Sequence, residues 1–396
     1  MIKNRDIIVV GIQSWDIEIG SNCKNIAIEF AKHNRVLYVN SPLDRMTIWR
    51  KGKTPYVKKR LEMIKSGADD LVKLDENLWN LYPATILESN SRIPGKILFE
   101  ILNRINNKRF AKEIAKAVKR LDFKDFIIFN DSDMFRSYSL ADLLSPKLYT
   151  YYTRDNLMAV DYYAKHGFRL EPALMAKSDL VVANSTYLAA LAAKYNPKSF
   201  YVGQGCDLSI YDKTKLSNVP VDMTAIPKPI IGYTGALYNI RLDIDILVHI
   251  AREKPEWSLV LIGPEDNDFK NSDLHKMSNV HFLGNKKPEE LPAYVNCFDV
   301  ALNPQKLNEV TRGNYPRKID EYLAMGKPTV ATKTEAMSVF ADYTYLAANN
   351  LEYIRFIEKA LLENSPELES GREAFARSHS WENSVKAIYE QMEKFL

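Results

Sequence analysis

The sequence predicts an α/β protein of two doubly wound domains, and three observations carry that prediction. Its 396 residues exceed what one hydrophobic core usually serves. Apolar runs of strand length alternate with longer helical patterns, the signature of a mostly parallel sheet covered by helices. The alternation occurs twice. Between the two series lies a polar stretch, 209–229, with prolines at 220, 227 and 229 and no sustained period, which suits a connection between domains.

In the first series the strand-length runs fall at 7–11, 35–39, 126–130, 148–152, 180–184 and 199–202, with helical patterns at 23–32, 110–121 and 170–176. The apolar part of the N-terminus is too short for a signal peptide and suits a first strand. The second series opens with a strand at 230–233 and a helix at 243–252. Strands at 257–263 and 280–283, a helix at 288–296, a strand at 300–303, a helix at 316–325 and a strand at 329–331 follow. Residues 381–396 form a final helix, placed so that it is free to return to the first domain. The expected organisation is therefore 1–208, a linker at 209–229, 230–380, and the crossing helix 381–396. Two such domains facing each other leave a cleft at the carboxyl ends of their strands, where open α/β sheets hold ligands.

Composition narrows the function. Hydrophobic residues make up 46% of the chain, as in a well-packed globular protein. The three cysteines, Cys23, Cys206 and Cys297, are widely separated and lack metal spacing, which suits reduced thiols in the cytosol. Cys206, beside Asp207, reads as a small packing residue at the hinge. The six histidines show no metal spacing either. No run approaches the length of a membrane span, so membrane contact is expected to be peripheral. Net charge is only +4, but cations concentrate at 45–65, where eight Lys/Arg face the single acid Glu62, and at 92–120, where nine face Glu100 and Glu113. Aromatic and aliphatic residues are interleaved with them, a pattern that suits an anionic lipid surface and equally suits solvated helix faces over core residues. No helix-turn-helix, finger or RNA-binding signature accompanies the charge, which argues against nucleic acid. The loop after the first strand lacks closely spaced glycines, Gly20 arriving too late for a dinucleotide fingerprint, and this argues against an oxidoreductase.

The most informative stretch is 315–331. Pro316 starts a helix, Gly326 stops it, and a buried strand follows. Helical spacing brings Lys318, Glu321, Tyr322 and Met325 together, so an ammonium and a carboxylate share one side of the element near its N-terminus. One turn can thus touch both a phosphate and a ribose. The same residues also fit an ordinary surface Lys/Glu pair. Context favours a ligand, because a polar loop at 305–314, with Glu309, Thr311, Arg312 and Asn314, separates this helix from the strand at 300–303.

Gly232-Tyr233-Thr234-Gly235-Ala236-Leu237, Leu261-Ile262-Gly263-Pro264, Val280-His281-Phe282-Leu283-Gly284, the run at 298–304 and the block at 316–328 occur in the order and spacing of the GT-B nucleotide-sugar glycosyltransferases. The chain resembles their family-four-like branch (glycosyl transferases group 1), which includes bacterial teichuronic acid and exopolysaccharide glycosyltransferases. Residues 230–331 carry the resemblance most strongly, and the first half follows collinearly. It implies GT-B architecture, two doubly wound Rossmann-like domains facing across a cleft, with the donor's nucleotide on the C-terminal domain and the acceptor on the N-terminal one. It also implies that Glu321 grips the ribose hydroxyls and that Lys318 lies near the diphosphate. Many retaining members carry a second glutamate eight positions before the ribose carboxylate, where this chain has Gly313. Many also carry Arg and Lys after the glycine-containing loop, where this chain reads Gly235-Ala236-Leu237-Tyr238-Asn239-Ile240-Arg241. Arg241, Arg312 and Arg317 are the alternative phosphate contacts.

Cleaving a sugar-phosphate bond builds negative charge on the departing diphosphate. Lys318, Arg241, Arg312 and the main-chain N–H groups near Thr234-Gly235 and Asn314-Tyr315 are the donors expected to meet it. The acceptor hydroxyl must lose a proton. Asp155, after a buried strand, corresponds in position to the aspartate read as base in the related xanthan enzyme, and it also fits a helix N-cap. Asp16, on the loop after the first strand, is the rival. The expected activity is metal-free sugar transfer, without a cofactor, from a UDP- or GDP-linked donor to a surface polysaccharide or lipid-linked acceptor. The expected location is cytoplasmic, peripheral at the inner face of the membrane. A nucleotide-sugar epimerase of the same fold and a non-catalytic nucleotide-sugar-binding scaffold are the alternatives.

Overall fold

A computed structural model describes residues 1–16, 21–159, 161–216 and 218–396. Gly20 lies outside them. The chain divides into two compact units, Met1–Gly203 with Trp381–Leu396, and Gln204–Ser380.

The first unit contains β1 (Asp6–Gly11), α1 (Asn22–Ala31), β2 (Arg35–Val39), α2 (Arg45–Lys51), α3 (Pro55–Ser66), β3 (Leu71–Asp75), β4 (Leu78–Leu81) and α4 (Lys96–Leu121). It continues with β5 (Ile127–Asp131), α5 (Leu140–Leu144), β6 (Leu148–Thr153), α6 (Asp161–Lys177), β7 (Leu180–Ala183), α7 (Thr186–Ala193) and β8 (Ser199–Tyr201). Its sheet runs β3-β4-β2-β1-β5-β6-β7-β8, parallel except where β3 pairs antiparallel with β4. Valine and isoleucine fill β1 on both faces because both are covered by helices. Asp44 caps α2 by accepting from the Met46 and Thr47 N–H groups, and Ser21 and Ser185 cap α1 and α7 in the same way.

The second unit contains β9 (Ile230–Thr234), α8 (Ile244–Glu253), β10 (Ser258–Ile262), α9 (Asn267–Lys270), β11 (Val280–Gly284), α10 (Leu291–Cys297) and β12 (Val300–Asn303). It ends with α11 (Lys318–Ala324), β13 (Thr329–Thr332), β14 (Tyr345–Ala347), α12 (Asn350–Glu363) and α13 (Pro366–Ser378). The sheet order is β11-β10-β9-β12-β13-β14, parallel throughout. The order reverses beside β9, so the loops after β9 and β12 form the switch point of a doubly wound sheet.

Four expectations need correction. The segment 209–229 is no free linker: Tyr211 and Met223 pack into the core of the second unit, with Leu216 and Ile226 against it, and that unit already begins at Gln204. Its prolines break the helical period without removing the apolar side chains that bury it. The helical pattern at 110–121 is the second half of one 26-residue helix, α4, whose first half carries apolar residues on exposed as well as buried sides and so shows no single apolar face. The edge strands β3 and β14 escaped notice because neither is an apolar run of strand length: β3 is mostly exposed and β14 has three residues. Arg60, counted with the surface cations, is only 1% exposed and lies over the Tyr82 ring at 4.9 Å. The last helix, α14 (Trp381–Met392), packs on α1, where Tyr389 stacks on Phe30 and accepts a 2.9 Å bond from Asn34 Nδ2.

Candidate active site

In the second unit the site is built at the carboxyl ends of β9 and β10. Gly235 and Gly263 follow those strands at φ +131° and +148°. A Cβ on Gly263 would lie 1.9 Å from the Gly235 carbonyl oxygen, so only glycine lets the two loops approach so closely. The Gly235 N–H donates to Ile262 O at 2.7 Å and the Leu237 N–H to Pro264 O at 2.8 Å, which laces the loops together.

Helix α11 lies against this platform. Pro316 precedes it and accepts from the Ile319 N–H at 2.9 Å, and Ile319, Tyr322 and Leu323 form its buried face. The Thr234 N–H donates to Tyr322 Oη at 2.9 Å, pinning the helix to the end of β9. Lys318 consequently lies directly over Gly235: a Cβ there would meet Lys318 Cε at 2.1 Å and Nζ at 2.5 Å. Its Nζ is 5.8 Å from the Tyr233 ring centroid. Burial pushes the ammonium below its ordinary value, Glu321 opposes that shift, and Arg317 and Arg241 reinforce it. Three cations thus act on one spot. Glu321, one turn beyond Lys318, is pushed up by burial and held back by Lys318, the Tyr211 hydroxyl and Arg317. With seven residues α11 has less than two turns, so side-chain charge rather than a long helix dipole sets the field.

Beneath this pair lies a network that sequence reasoning missed. Asp320 is fully buried, accepts from Tyr315 Oη at 2.9 Å and from the Cys206 thiol at 3.2 Å, and has His379 Nδ1 at 2.7 Å. The Cys206 N–H donates to His379 O at 2.8 Å. Burial, then Asp320, pushes the Cys206 thiol well up, so it behaves as a neutral donor. The only hint in the sequence was a carboxylate on the apolar face of the α11 pattern; its partners come from 114 residues upstream and 59 downstream.

Of the residues expected to bind the donor, the structure brings together Gly235, Arg241, Arg317, Lys318 and Glu321. Three others are engaged by neighbours. Tyr315 is buried with its hydroxyl on Asp320, because its ring fills the core under α11. The Asn314 N–H is used by Thr311 O at 3.0 Å, inside a loop closed on itself. Arg312 turns to Glu309 at 3.2 Å, an exposed pair. The expected main-chain donors at Thr234 and Gly235 are likewise spent within the fold. Gly313 has φ +83°, a conformation that strains any side chain, so the position that holds a glutamate in many relatives of the resemblance is built here for glycine.

The two base candidates lie in the first unit. Asp155 follows β6 and pairs with Arg154 Nη1 at 2.8 Å, while Arg154 Nε holds the fully buried Asp131 at 2.8 Å. Burial raises the Asp131 carboxyl, and its Oδ2 has no hydrogen-bond partner among the described residues. Asp16 is held differently. Its Oδ1 accepts from Tyr82 Oη at 2.5 Å, and its Oδ2 is buried without a partner among the described residues. No three His, Cys, Asp or Glu side chains among the described residues stand together as a metal site.

Residues 228–360 match the family described as Glycosyl transferases group 1. The chain is 24% identical over 253 residues to the putative teichuronic acid biosynthesis glycosyltransferase TuaH of Bacillus subtilis (strain 168), covering 61% of this chain and 62% of that protein. It therefore spans less than two thirds of the curated relative it matches. Among solved structures it is similar to sucrose-phosphate synthase from Thermosynechococcus elongatus, at TM-score 0.64, 15% identity and 99% coverage of both chains. Anabaena HepE in complex with UDP matches at 0.65 and 14% identity over 98% of this chain and 100% of that one. An α,α-trehalose-phosphate synthase (UDP-forming) from Burkholderia vietnamiensis matches at 0.68 and 11% identity over 99% and 100%. These likenesses show the fold: both units together have GT-B architecture.

Proposed function

We propose that this chain, a GT-B fold carrying a group 1 glycosyl transferase match at 228–360, transfers a sugar from a nucleotide diphosphate sugar to a hydroxyl acceptor of a surface polysaccharide or its lipid-linked precursor. The observation that carries the proposal is the Lys318 ammonium seated over Gly235 with Glu321 one turn away. Glu321 accepts two vicinal ribose hydroxyls, while Lys318, Arg241 and Arg317 meet the diphosphate. As the sugar-phosphate bond breaks, charge grows on that diphosphate, and a desolvated ammonium gains most at that moment. The proposal assigns this neutralisation to side chains and needs neither metal nor cofactor.

For the proton of the acceptor hydroxyl, Asp16 is the better-prepared group. A carboxylate with one oxygen anchored by Tyr82 and the other without a hydrogen-bond partner among the described residues is oriented and keeps a lone pair for a proton. Asp155 shares its charge with Arg154 and is the second candidate. The setting proposed is cytoplasmic, peripheral at an anionic membrane face. It is supported by the cations of α2, α3 and α4 together with the exposed Trp49, Ile97, Leu98 and Ile101. No helix among the described residues is long and apolar enough to cross a membrane.

Incubation with a panel of UDP- and GDP-sugars tests the reading. Nucleotide diphosphate should appear with acceptor present and the sugar should move to it. Interconversion of the donor sugar without acceptor would instead identify an epimerase, and saturable binding without turnover a scaffold.

A further inference from the structure

Asp320 stands beside Glu321 on α11 and is fully buried. A carboxylate in that position is costly unless its oxygens are held, and three donors hold this one. Tyr315 Oη and the Cys206 thiol reach Oδ2, and His379 Nδ1 reaches Oδ1. The His379 ring is fixed in turn by the rings of Tyr315, Phe340 and Phe375, whose centroids lie 6.2, 5.9 and 4.6 Å away. Two of the donors come from the ends of the unit. It begins at Gln204 and finishes at Ser380, and Cys206 and His379 lie just inside those ends, joined by the bond from the Cys206 N–H to the His379 carbonyl. The same two segments meet again further along, where Arg377 Nη2 donates to Tyr211 O at 3.4 Å, and the Tyr211 hydroxyl favours the ionised form of Glu321. Segments 206–211 and 377–379 therefore hold both carboxylates of α11, Asp320 through Cys206 and His379, Glu321 through Tyr211.

A helix of fewer than two turns cannot keep its orientation unaided. Tyr322 pins α11 to the end of β9, and Asp320 supplies the second anchor. Two anchors fix a short helix where one would let it swivel, so what holds Asp320 also aims Glu321. We propose that Asp320 is a positioning residue for nucleotide binding: through Tyr315, Cys206 and His379 it sets the orientation in which Glu321 meets the ribose, and it couples that contact to the two ends of the second unit. The ribose contact rests on the glycosyl-transfer reading, whereas the anchoring of α11 stands without it. Coupling of this kind is reciprocal: if the ends hold Glu321 for the nucleotide, bound nucleotide must steady the ends.

Titration calorimetry with UDP and GDP, joined to amide hydrogen exchange with and without the nucleotide that binds better, tests the assignment. His379→Leu removes one donor to Asp320, Tyr315→Phe removes another while keeping its ring, and His379→Asn puts an amide N–H where the imidazole N–H stood. His379→Leu should weaken nucleotide binding about tenfold or more and Tyr315→Phe about threefold or more, while His379→Asn should stay within about twofold of the parent. In a Glu321→Gln background both losses should shrink to less than about twofold, because the contact being positioned is already gone. Ile357→Ala, in the core packed by α12, should lower the melting temperature and leave nucleotide affinity unchanged, which separates positioning from a general loss of stability. Nucleotide should slow exchange at 206–211 and 377–379 in the parent and do so less in Tyr315→Phe. Parent-like affinity in both His379→Leu and Tyr315→Phe, losses undiminished beside Glu321→Gln, or ends whose exchange ignores the nucleotide would overturn the proposal. A parent that binds neither nucleotide would instead remove the glycosyl-transfer reading. In that case faster exchange across 318–325 in Tyr315→Phe than in the parent would still identify Asp320 as the anchor of α11, and unchanged exchange would remove the anchor as well.

Discussion

Lys318 and Glu321 occupy one face of a short helix, yet their tasks separate. In the proposed reaction Glu321 contacts the ribose equally in ground and transition states, so Glu321→Gln should weaken UDP or GDP binding by about 1.5–3 kcal/mol, the worth of a hydrogen bond to a charged group. Burial raises its carboxyl, so the affinity lost on acidification should begin above the ordinary glutamate range and disappear from the pH profile of Glu321→Gln. Lys318→Ala should lower kcat far more than it changes donor affinity, because its partner charge grows only as the bond breaks. Calorimetry and steady-state rates on the two variants check both statements; an unchanged affinity and rate in each would remove the pair from the site. The same comparison decides the base. Asp16→Asn should lower transfer by roughly 10²–10⁴-fold with donor affinity intact, whereas Asp155→Asn should retain most of the rate. The reverse ranking would move the proton to Asp155.

Among the elements, α6 and β6 hold a titration unconnected with ligand. Glu171 on α6 is buried, accepts from Tyr151 Oη at 2.8 Å, and burial lifts its carboxyl from 4.5 to about 7. The folded chain therefore keeps a proton that the unfolded chain has released. Its contribution to stability is fully present below pH 4.5, declines as pH rises through 7, and is then constant. The loss amounts to about 3 kcal/mol at 1.36 kcal/mol per pKa unit. Glu171→Gln keeps an acceptor for Tyr151 without the charge, so denaturant melts of this variant should show a flatter dependence between pH 5 and 8 and a higher midpoint at pH 8. Parallel pH profiles for parent and variant would exclude Glu171 as the source. In the second unit the loop before α11 makes a related point: Gly313→Glu should not install a working carboxylate, since φ +83° costs a side chain about 1–2 kcal/mol and bends the loop away.

For the molecule as a whole the question is where it works. The cations at 45–65 are distributed over α2 and α3, but Arg60 faces inward over Tyr56 and Tyr82, so it cannot meet a headgroup. Lys53, Lys58 and Lys59 are exposed and can. Co-sedimentation with anionic vesicles should fall several-fold when those three lysines become glutamine, and should weaken for the parent as salt rises. Neutral vesicles should retain neither protein. Equal partitioning of parent and triple variant at low salt would leave these helices as solvated faces.

Sequence alone determined the two alternating series and the block at 315–331, because strand and helix periodicity and the proline and glycine that bracket α11 are local signals. The Lys318–Glu321 pair was legible for the same reason: residues three apart in a helix share a face whatever surrounds them. The resemblance in the second half supplied the roles. What only the tertiary structure decided was which neighbours those residues meet. Arg312, Asn314 and Tyr315 looked as suitable as Arg317, but Arg312 pairs with Glu309, the Asn314 main-chain N–H bonds the Thr311 carbonyl, and the Tyr315 hydroxyl is held by Asp320. Asp320 gathers Cys206 and His379 from opposite ends of the second unit, a meeting that no period in the sequence encodes. Arg60 sits in a stretch that reads as surface and Glu171 in an ordinary helical pattern, and burial, a property of the packed whole, decides how each of them acts.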